Sequence, residues 1–549
     1  MTAAMKSYCL PFREIPHTTK LSSTFLDDFH RVAGFYGHAP TEQGVLDAAR
    51  EVRLDSETRR AVVEVLREQN ERFGVDEQTK RNLDRLANGA AAIVTGQQVG
   101  LFSGPEYSLF KAVSAVSFAQ QIANRGVEAV PVFWLASEDH DLAEVNQSYW
   151  RTRAGLTKYE LPAPAAESEG RRVGEITFGE AIEAIVTQAA DSLEGPLAGE
   201  VASALRESYT PSDNYGSAYG KLIARLVRGH GLIFIDPLDA RLHRLASSVL
   251  RQALNDAAPL NDELAARSKE LEKSGLHAQV KVPADSTLLF YSVGGRRLPV
   301  RRRDSKFFAG NDEFSLDELS AAIESTPETI SPSVLLRPVM QDALLPTASY
   351  IGGPSEVAYM AQAQVVYQRI LGRMPAILPR PSFTLVEPAV ARSLVKYGLD
   401  IRDLLLGAQH VRARMEQKAV PGALDRQFES DELKLREMLK SYAEPVEKLD
   451  RTLLGTLEAV QEKMLYQFTK LKEKIGRAEN FRTGVLDDHE RVLFDSLFPN
   501  RDLQERTLCG LPFVAAYGQE LLDELARLST IPALADSRSC AHHHHVLFL

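Results

Sequence analysis

Cysteine is scarce in this chain: of 549 residues only Cys9, Cys509 and Cys540 carry a thiol, and no two form a CxxC pair. That excludes a disulfide framework and a cysteine zinc site, and it fits a reducing compartment. Long apolar runs are missing as well. No stretch of roughly eighteen apolar residues exists to cross a bilayer, and the N-terminal sequence lacks the apolar block of a signal peptide. A cytoplasmic protein with no membrane partner is expected. Basic charge is not in excess either: 64 Lys and Arg against 74 Asp and Glu leave a net charge of −10, whereas nucleic-acid binding needs a basic face. One basic run, RRLPVRRR from Arg296 to Arg303, reads as a solvated strand pair around Pro299, with an anion site as the alternative. The common signatures GxxxxGK[ST], GxGxxG and HExxH do not occur. Gly216 to Lys221 lacks phosphate-loop spacing and lies in a helical pattern. Ser212-Asp213-Asn214 reads as a helix start. His542 to His545 reads as a solvent-side run before a last short strand rather than a metal site.

What is present is ordinary globular composition, 44% hydrophobic and 25% charged, on a chain too long for one small core. Apolar residues at three- and four-residue spacing predict helices over residues 41–90. The period then changes. Residues 91–95, 129–135 and 231–236 read as buried strands separated by helices, the longest from about Gly104 to Asn124. Alternation of this kind predicts a parallel sheet covered on both faces. Extended pieces are predicted at 287–292, 297–302, 334–338 and 381–387, with a helix at about 354–371. The expected organisation is an N-terminal helical segment (1–90) packed on the core, an α/β core with insertions (91–390), a helical coil (391–480) and a C-terminal segment returning to the core (481–549).

The coil has a period. Leu435, Val446, Leu457 and Phe468 are spaced by eleven; so are Met438, Leu449, Val460 and Leu471, and Tyr442, Leu453, Met464 and Ile475. An 11-residue repeat favours straight or slightly right-handed packing. It predicts one apolar stripe serving a dimer or another partner, with Pro445 kinking or restarting the helix.

Three strings carry candidate chemistry. Thr95 to Glu106 (TGQQVGLFSGPE) joins a strand to a helix, where open α/β sheets bind anionic ligands. Ser103 and Glu106 fit a capping box with Pro105 in the first turn. Gly96 is expected either to take a positive φ or to admit a ligand closely, and Gln97 and Gln98 to orient a polar substrate. Ser137-Glu138-Asp139-His140-Asp141 follows an apolar strand. Three carboxylates around one imidazole are costly to bury unpaired, so a cleft is expected, with the pKa of His140 raised for proton transfer and Glu138, Asp139 and Asp141 as candidate Mg²⁺ ligands. In the third string, Arg337 is a candidate for a carboxylate or phosphate, or for an ion pair with Asp342. Gly352-Gly353-Pro354 again opens a helix in anion-site fashion. Lys111 lies roughly 10 Å along its helix from Gly104, so only its side chain could reach back. Ser103, Asn146, Asp342 and Glu356 complete the candidate binding set.

The strings TGQQVGLFSGPEYSLFKA, PVFWLASEDHDLAEVN, LLRPVMQDALLPTASYIGGPSEVAYMAQ and PRPSFTLVE resemble, in this order, the cysteine-adding enzymes of bacillithiol biosynthesis, the BshC family. The resemblance covers nearly the whole chain. It implies a Rossmann-like α/β core carrying a helical coiled-coil domain that dimerises, and binding of an adenine nucleotide, ATP or ADP with Mg²⁺. It also implies a carbon–nitrogen ligase joining L-cysteine to glucosaminyl-malate. On that reading His140 is the base, Asp139 and Asp141 orient it or hold the metal, and Gly96, Gln97, Gln98, Arg337, Gly352 and Gly353 line the site. The alternatives are an adenylating or nucleotidyl-transferring enzyme for another small acid or amine, and a coiled-coil scaffold with a vestigial core.

Overall fold

A run of seven apolar residues with no alternation, such as AVPVFWL, is stable as a strand only where both faces are covered. In the computed structural model this run is one of five strands of a parallel sheet. The structure describes residues 5–16, 18–162, 169–418, 420, 422–533 and 542–549. Strand β1 (Lys6–Pro11) precedes the helices Glu42–Glu51, Ser56–Phe73 and Glu77–Ala87, which fall where the apolar spacing put them. Next come β2 (Ala91–Gln97), β3 (Ala129–Leu135), the hairpin β4 (Gln147–Thr152) and β5 (Gly155–Glu160), and β6 (Ile233–Ile235). A second group contains β7 (Ser286–Val293), β8 (Arg296–Arg303), β9 (Lys306–Ala309), β10 (Asp312–Phe314) and β11 (Ile330–Pro332). The last strands are β12 (Thr347–Gly352), β13 (Ala376–Pro379), β14 (Ser382–Val386) and β15 (His543–Phe548).

The core sheet has the order β13-β12-β2-β3-β6, with every pairing parallel. From β2 the chain moves outward through β3 to β6, then returns to place β12 on the other side of β2. The order therefore reverses between β2 and β12, and open α/β sheets bind ligands at the carboxyl edge beside such a reversal. The fold class is α/β with a Rossmann-like parallel core, as expected. A second sheet, β10-β9-β8-β7-β11, is antiparallel, and a third has the order β1-β15-β14.

The chain falls into two compact units: residues up to Thr384 together with Glu505–Leu547, and Leu385–Gln504 with the last two residues. The second unit is helical. Helices Gly422–Ser441 and Leu454–Thr483 run antiparallel, shown by the Phe428–Phe468 ring contact at 5.6 Å and the Lys472–Asp425 ion pair. The single unbroken stripe expected from Leu435 to Ile475 is therefore corrected. The helix stops at Ser441, restarts as Ala443–Leu449 next to Pro445, and turns through Arg451–Leu453. The 11-residue rows nevertheless sort by exposure: Leu435, Val446, Leu457 and Phe468 are half-buried, whereas Met438, Leu449, Val460 and Leu471 are exposed.

Three local expectations are also corrected. Residues 334–338 do not form a strand, because Pro338 sits in the first turn of a helix, Arg337–Leu344, where its missing N–H costs nothing. Ser103 and Glu106 do not form a capping box. The helix begins at Tyr107, and Ser103, at φ 72°, turns its hydroxyl to the Cys509 thiol. The histidine run is not solvent-side: His542, His544 and His545 are buried, and His544 is held between the Ser382 and Thr384 hydroxyls at 2.7 and 2.8 Å. Asn214 does cap its helix, Tyr215–Leu226, as the sequence predicts.

Candidate active site

At the carboxyl ends of β2, β3 and β12 lies a cavity of about 600 Å³. Its floor is β2 running out through Gly96, Gln97 and Gln98. Its walls are the Glu138–His140 turn after β3, the start of the helix Pro354–Ile370 after β12, and the face of β7 and β8 that carries Phe290, Arg297, Pro299 and Arg301. Of the candidate residues, Gly96, Gln97, Gln98, Lys111, Glu138, Asp139, His140, Arg337, Gly353 and Glu356 line it. Ser103, Asp141, Asn146, Asp342 and Gly352 do not.

Lys111 reaches back along its helix as its length allows. Its ammonium donates to the Gly96 carbonyl (2.7 Å) and to Gln97 Oε1 (2.9 Å), and it pairs with Glu356. Burial pulls the ammonium below its ordinary pKa, with Glu356 opposing. Burial would raise Glu356, but Lys111, the Tyr350 hydroxyl (2.6 Å) and the Gly353 N–H (2.8 Å) outweigh it and leave the carboxyl below its ordinary value. The Gly353 N–H is therefore taken by the protein's own Glu356. This corrects the open anion site expected at the glycine turn.

Gly96 is also corrected. Its φ is not positive; a Cβ there would stand 2.9 Å from the Trp134 carbonyl oxygen on the paired strand. Glycine is needed there for strand-to-strand approach. Gln98 bridges two carboxylates, donating at 2.8 Å to Asp139 Oδ2 and at 2.8 Å to Glu144 Oε2. Asp139 Oδ1 accepts the His140 N–H at 2.7 Å.

His140 departs from expectation most clearly. Flanking acids suggested a raised pKa; burial and the nearby Arg297 lower it, against Asp139 and Asp141. The three-carboxylate metal set also fails to assemble. Glu138 is buried in an ion-pair contact with His243 at 2.9 Å, and Asp141 accepts from Glu144 N at 3.3 Å outside the cavity lining. Among the described residues no group of three or more His, Cys, Asp or Glu forms a metal cluster. Asp342 does not pair with Arg337. It accepts from the Tyr367 hydroxyl (2.6 Å) and Gln341 (2.9 Å), while Arg337 donates to Gln341, Tyr350 and Tyr359 at 3.1–3.3 Å and lies 5.9 Å from the Trp134 ring centroid.

The rest of the cavity comes from residues that no motif marks. Arg380 forms a buried bidentate pair with Glu505 (3.0 and 2.7 Å) beside the Tyr107 ring. Arg506, Lys281, Tyr107 and Tyr359 also line the cavity. The basic run supplies Arg297 and Arg301, which with Pro299 between them are alternate residues of β8. Period-2 alternation around Pro299 puts both on one face, so the run is a paired strand, as expected, that turns two of its arginines to the cavity. In all, Lys111, Lys281, Arg297, Arg301, Arg337, Arg380 and Arg506 face four carboxylates, Glu138, Asp139, Glu144 and Glu356. Arg380 is matched by Glu505 and Arg301 pairs with Asp285 at 3.3 Å, so the excess of positive charge is smaller than the lining alone gives, and it still suits an anionic ligand.

The comparisons with known proteins agree with this architecture. A family model described as "Bacillithiol biosynthesis BshC, N-terminal Rossmann-like domain" matches residues 5–381, and one described as "Bacillithiol biosynthesis BshC, C-terminal coiled-coil domain" matches residues 383–534. A protein of Koribacter versatilis named "Putative cysteine ligase BshC" is 40% identical over 517 residues, covering 94% of this chain and 96% of that protein. Proteins of the same name from Solibacter usitatus (33% over 521 residues, 94% and 96%) and Chlorobaculum tepidum (32% over 546 residues, 95% and 94%) are similar. With both domains matched across nearly its full length, the chain belongs to the BshC family of bacillithiol biosynthesis.

Proposed function

We propose that this protein is an amide-forming ligase that joins the carboxylate of L-cysteine to the amine of glucosaminyl-malate, using ATP or ADP with Mg²⁺. The observation that carries the reading is the cation-rich cavity at the point where the strand order reverses. A malate group and a nucleotide are both polyanions, and Lys281, Arg301 and Arg506 would hold them. Asp139 remains the cavity carboxylate best suited to Mg²⁺, which typically takes one or two protein carboxylates and otherwise keeps water and phosphate oxygens. When bound, the nucleotide supplies the activation that a free carboxylate requires before an amine displaces its oxygen. The chain's own part is to orient the two substrates between Gln98 and Arg337 and to handle the amine proton through the Asp139–His140 turn. Incubating the protein with ATP, cysteine and glucosaminyl-malate and weighing the product by mass spectrometry tests this. The amide mass is expected. Nucleotide turnover that ignores cysteine would instead indicate an adenylating enzyme for another acid, and no turnover at all a scaffold.

We further propose a homodimer through the exposed apolar residues Met438, Leu449, Leu453, Val460 and Leu471 of the helical unit. Charges placed at Leu453 and Val460 are expected to halve the mass seen by light scattering, because unpaired charge in an apolar seam is costly. An unchanged mass would remove the coil as the interface.

A further inference from the structure

Among the described residues His140 touches one charged side chain from outside its own turn, and that neighbour is well fixed. Arg297 projects from β8 with its Nε donating to Ser331 Oγ at 2.8 Å and one terminal nitrogen donating to the Pro332 carbonyl at 2.7 Å. Its plane lies over the Phe290 ring, 3.8 Å from the centroid. The remaining terminal nitrogen is 3.1 Å from His140 Nδ1. A guanidinium has five N–H donors and no acceptor. At that contact Nδ1 must therefore accept, and a neutral imidazole then carries its proton on Nε2.

The nearby carboxylate does not compete. Asp139 Oδ1 stands 3.7 Å from Nδ1 and is already engaged by the His140 and Asp141 amides, while Oδ2 receives Gln98. We propose that Arg297 is a positioning residue that holds His140 in its Nε2–H tautomer, so that His140 offers the cavity a hydrogen-bond donor and not a base. The assignment deepens the ligase reading and rests on it for the consequence in turnover. Glu144, which Gln98 bridges to Asp139, is then the carboxylate left to receive the proton of the amine, and the Nε2–H serves an oxygen of the acyl group.

Two measurements test it on the full-length protein. The first is the imidazole nitrogen spectrum of histidine-labelled protein at pH 8, with His140 assigned by difference against His140→Ala. An unprotonated Nδ1 and a protonated Nε2 are expected in the parent and in Arg297→Lys, which keeps a donor. Mixed tautomers are expected in Arg297→Met. A protonated Nδ1 in the parent, or an unchanged spectrum in Arg297→Met, overturns the positioning role, and neither readout depends on what the enzyme makes. The second is amide formation by His140→Gln, whose side-chain N–H can reach the place of Nε2–H, against His140→Ala. A donor role gives Gln at least about tenfold more turnover than Ala, since removing a transition-state donor costs roughly 10²–10³. Equal loss in the two variants returns His140 to the role of base. If the parent forms no amide, the ligase reading fails while the spectrum still decides the tautomer.

Discussion

Lys111→Met is expected to lower the stability of the protein by about 3 kcal/mol at neutral pH, because removing the buried member of a pair whose partner is 21% exposed leaves that carboxylate unmatched. Lys111 is 2% exposed and its ammonium has three acceptors: Glu356, the Gly96 carbonyl and Gln97. Methionine fills the volume and satisfies none of them. Glu356 would keep the Tyr350 hydroxyl and the Gly353 N–H, which places the expected cost at the lower end for such pairs. The pH dependence follows from the direction of the Glu356 shift. A carboxyl depressed in the folded state contributes stability above its unfolded pKa and loses it as pH falls through the folded value. In Lys111→Met the main depressing group is gone and burial raises the carboxyl instead. The deficit should therefore shrink on acidification as Glu356 takes up a proton. Urea unfolding between pH 4 and 8 measures this. The double variant Lys111→Met with Glu356→Gln should recover part of the loss at pH 7. A deficit independent of pH would mean that lost packing, and not stranded charge, sets the cost.

His140→Ala is expected to lower the rate of amide formation by roughly a hundredfold or more, the usual cost of losing a side chain that moves or donates a proton in the transition state. The side chain is 40% exposed at a strand end, so the melting temperature should stay close to the parent's. A normal rate in a normally melting variant would exclude His140 from the chemistry.

The parallel core was legible because its strands are both apolar and short. Residues 91–95 and 129–135 were placed almost to the residue, since AVPVFWL has no alternative that covers both its faces. Lys111 was legible from helix geometry: a residue that far from the loop can act there only through its long side chain. The Gly353 turn was misread because sequence shows that amides are available at a helix start, but not that a carboxylate three residues on will take one. Glu356 could have been caught as an N3 acid of the capping kind. His140 was misread for a different reason. Its sequence neighbours are acids, yet burial and then Arg297, 157 residues away, lower its pKa, and only the folded chain supplies either. The coil shows the same limit: a perfect 11-residue spacing continues across the turn at residues 450–453, because periodicity records which positions are apolar and not where the chain reverses.

The buried pair of Arg380 and Glu505 has a consequence for synthesis. The two partners are separated by 125 positions, and the whole helical unit lies between them in the chain. At a translation rate of roughly 5–20 residues per second, the guanidinium leaves the ribosome about 6–25 s before its carboxylate. During that interval the nascent core already holds β2, β3, β12 and β13, but the Arg380 wall of its cavity has no counter-ion and β15 has not yet been made. Completion of the site is therefore a late event of translation, and a ribosome stalled within the coil would carry a sheet whose binding edge is still open.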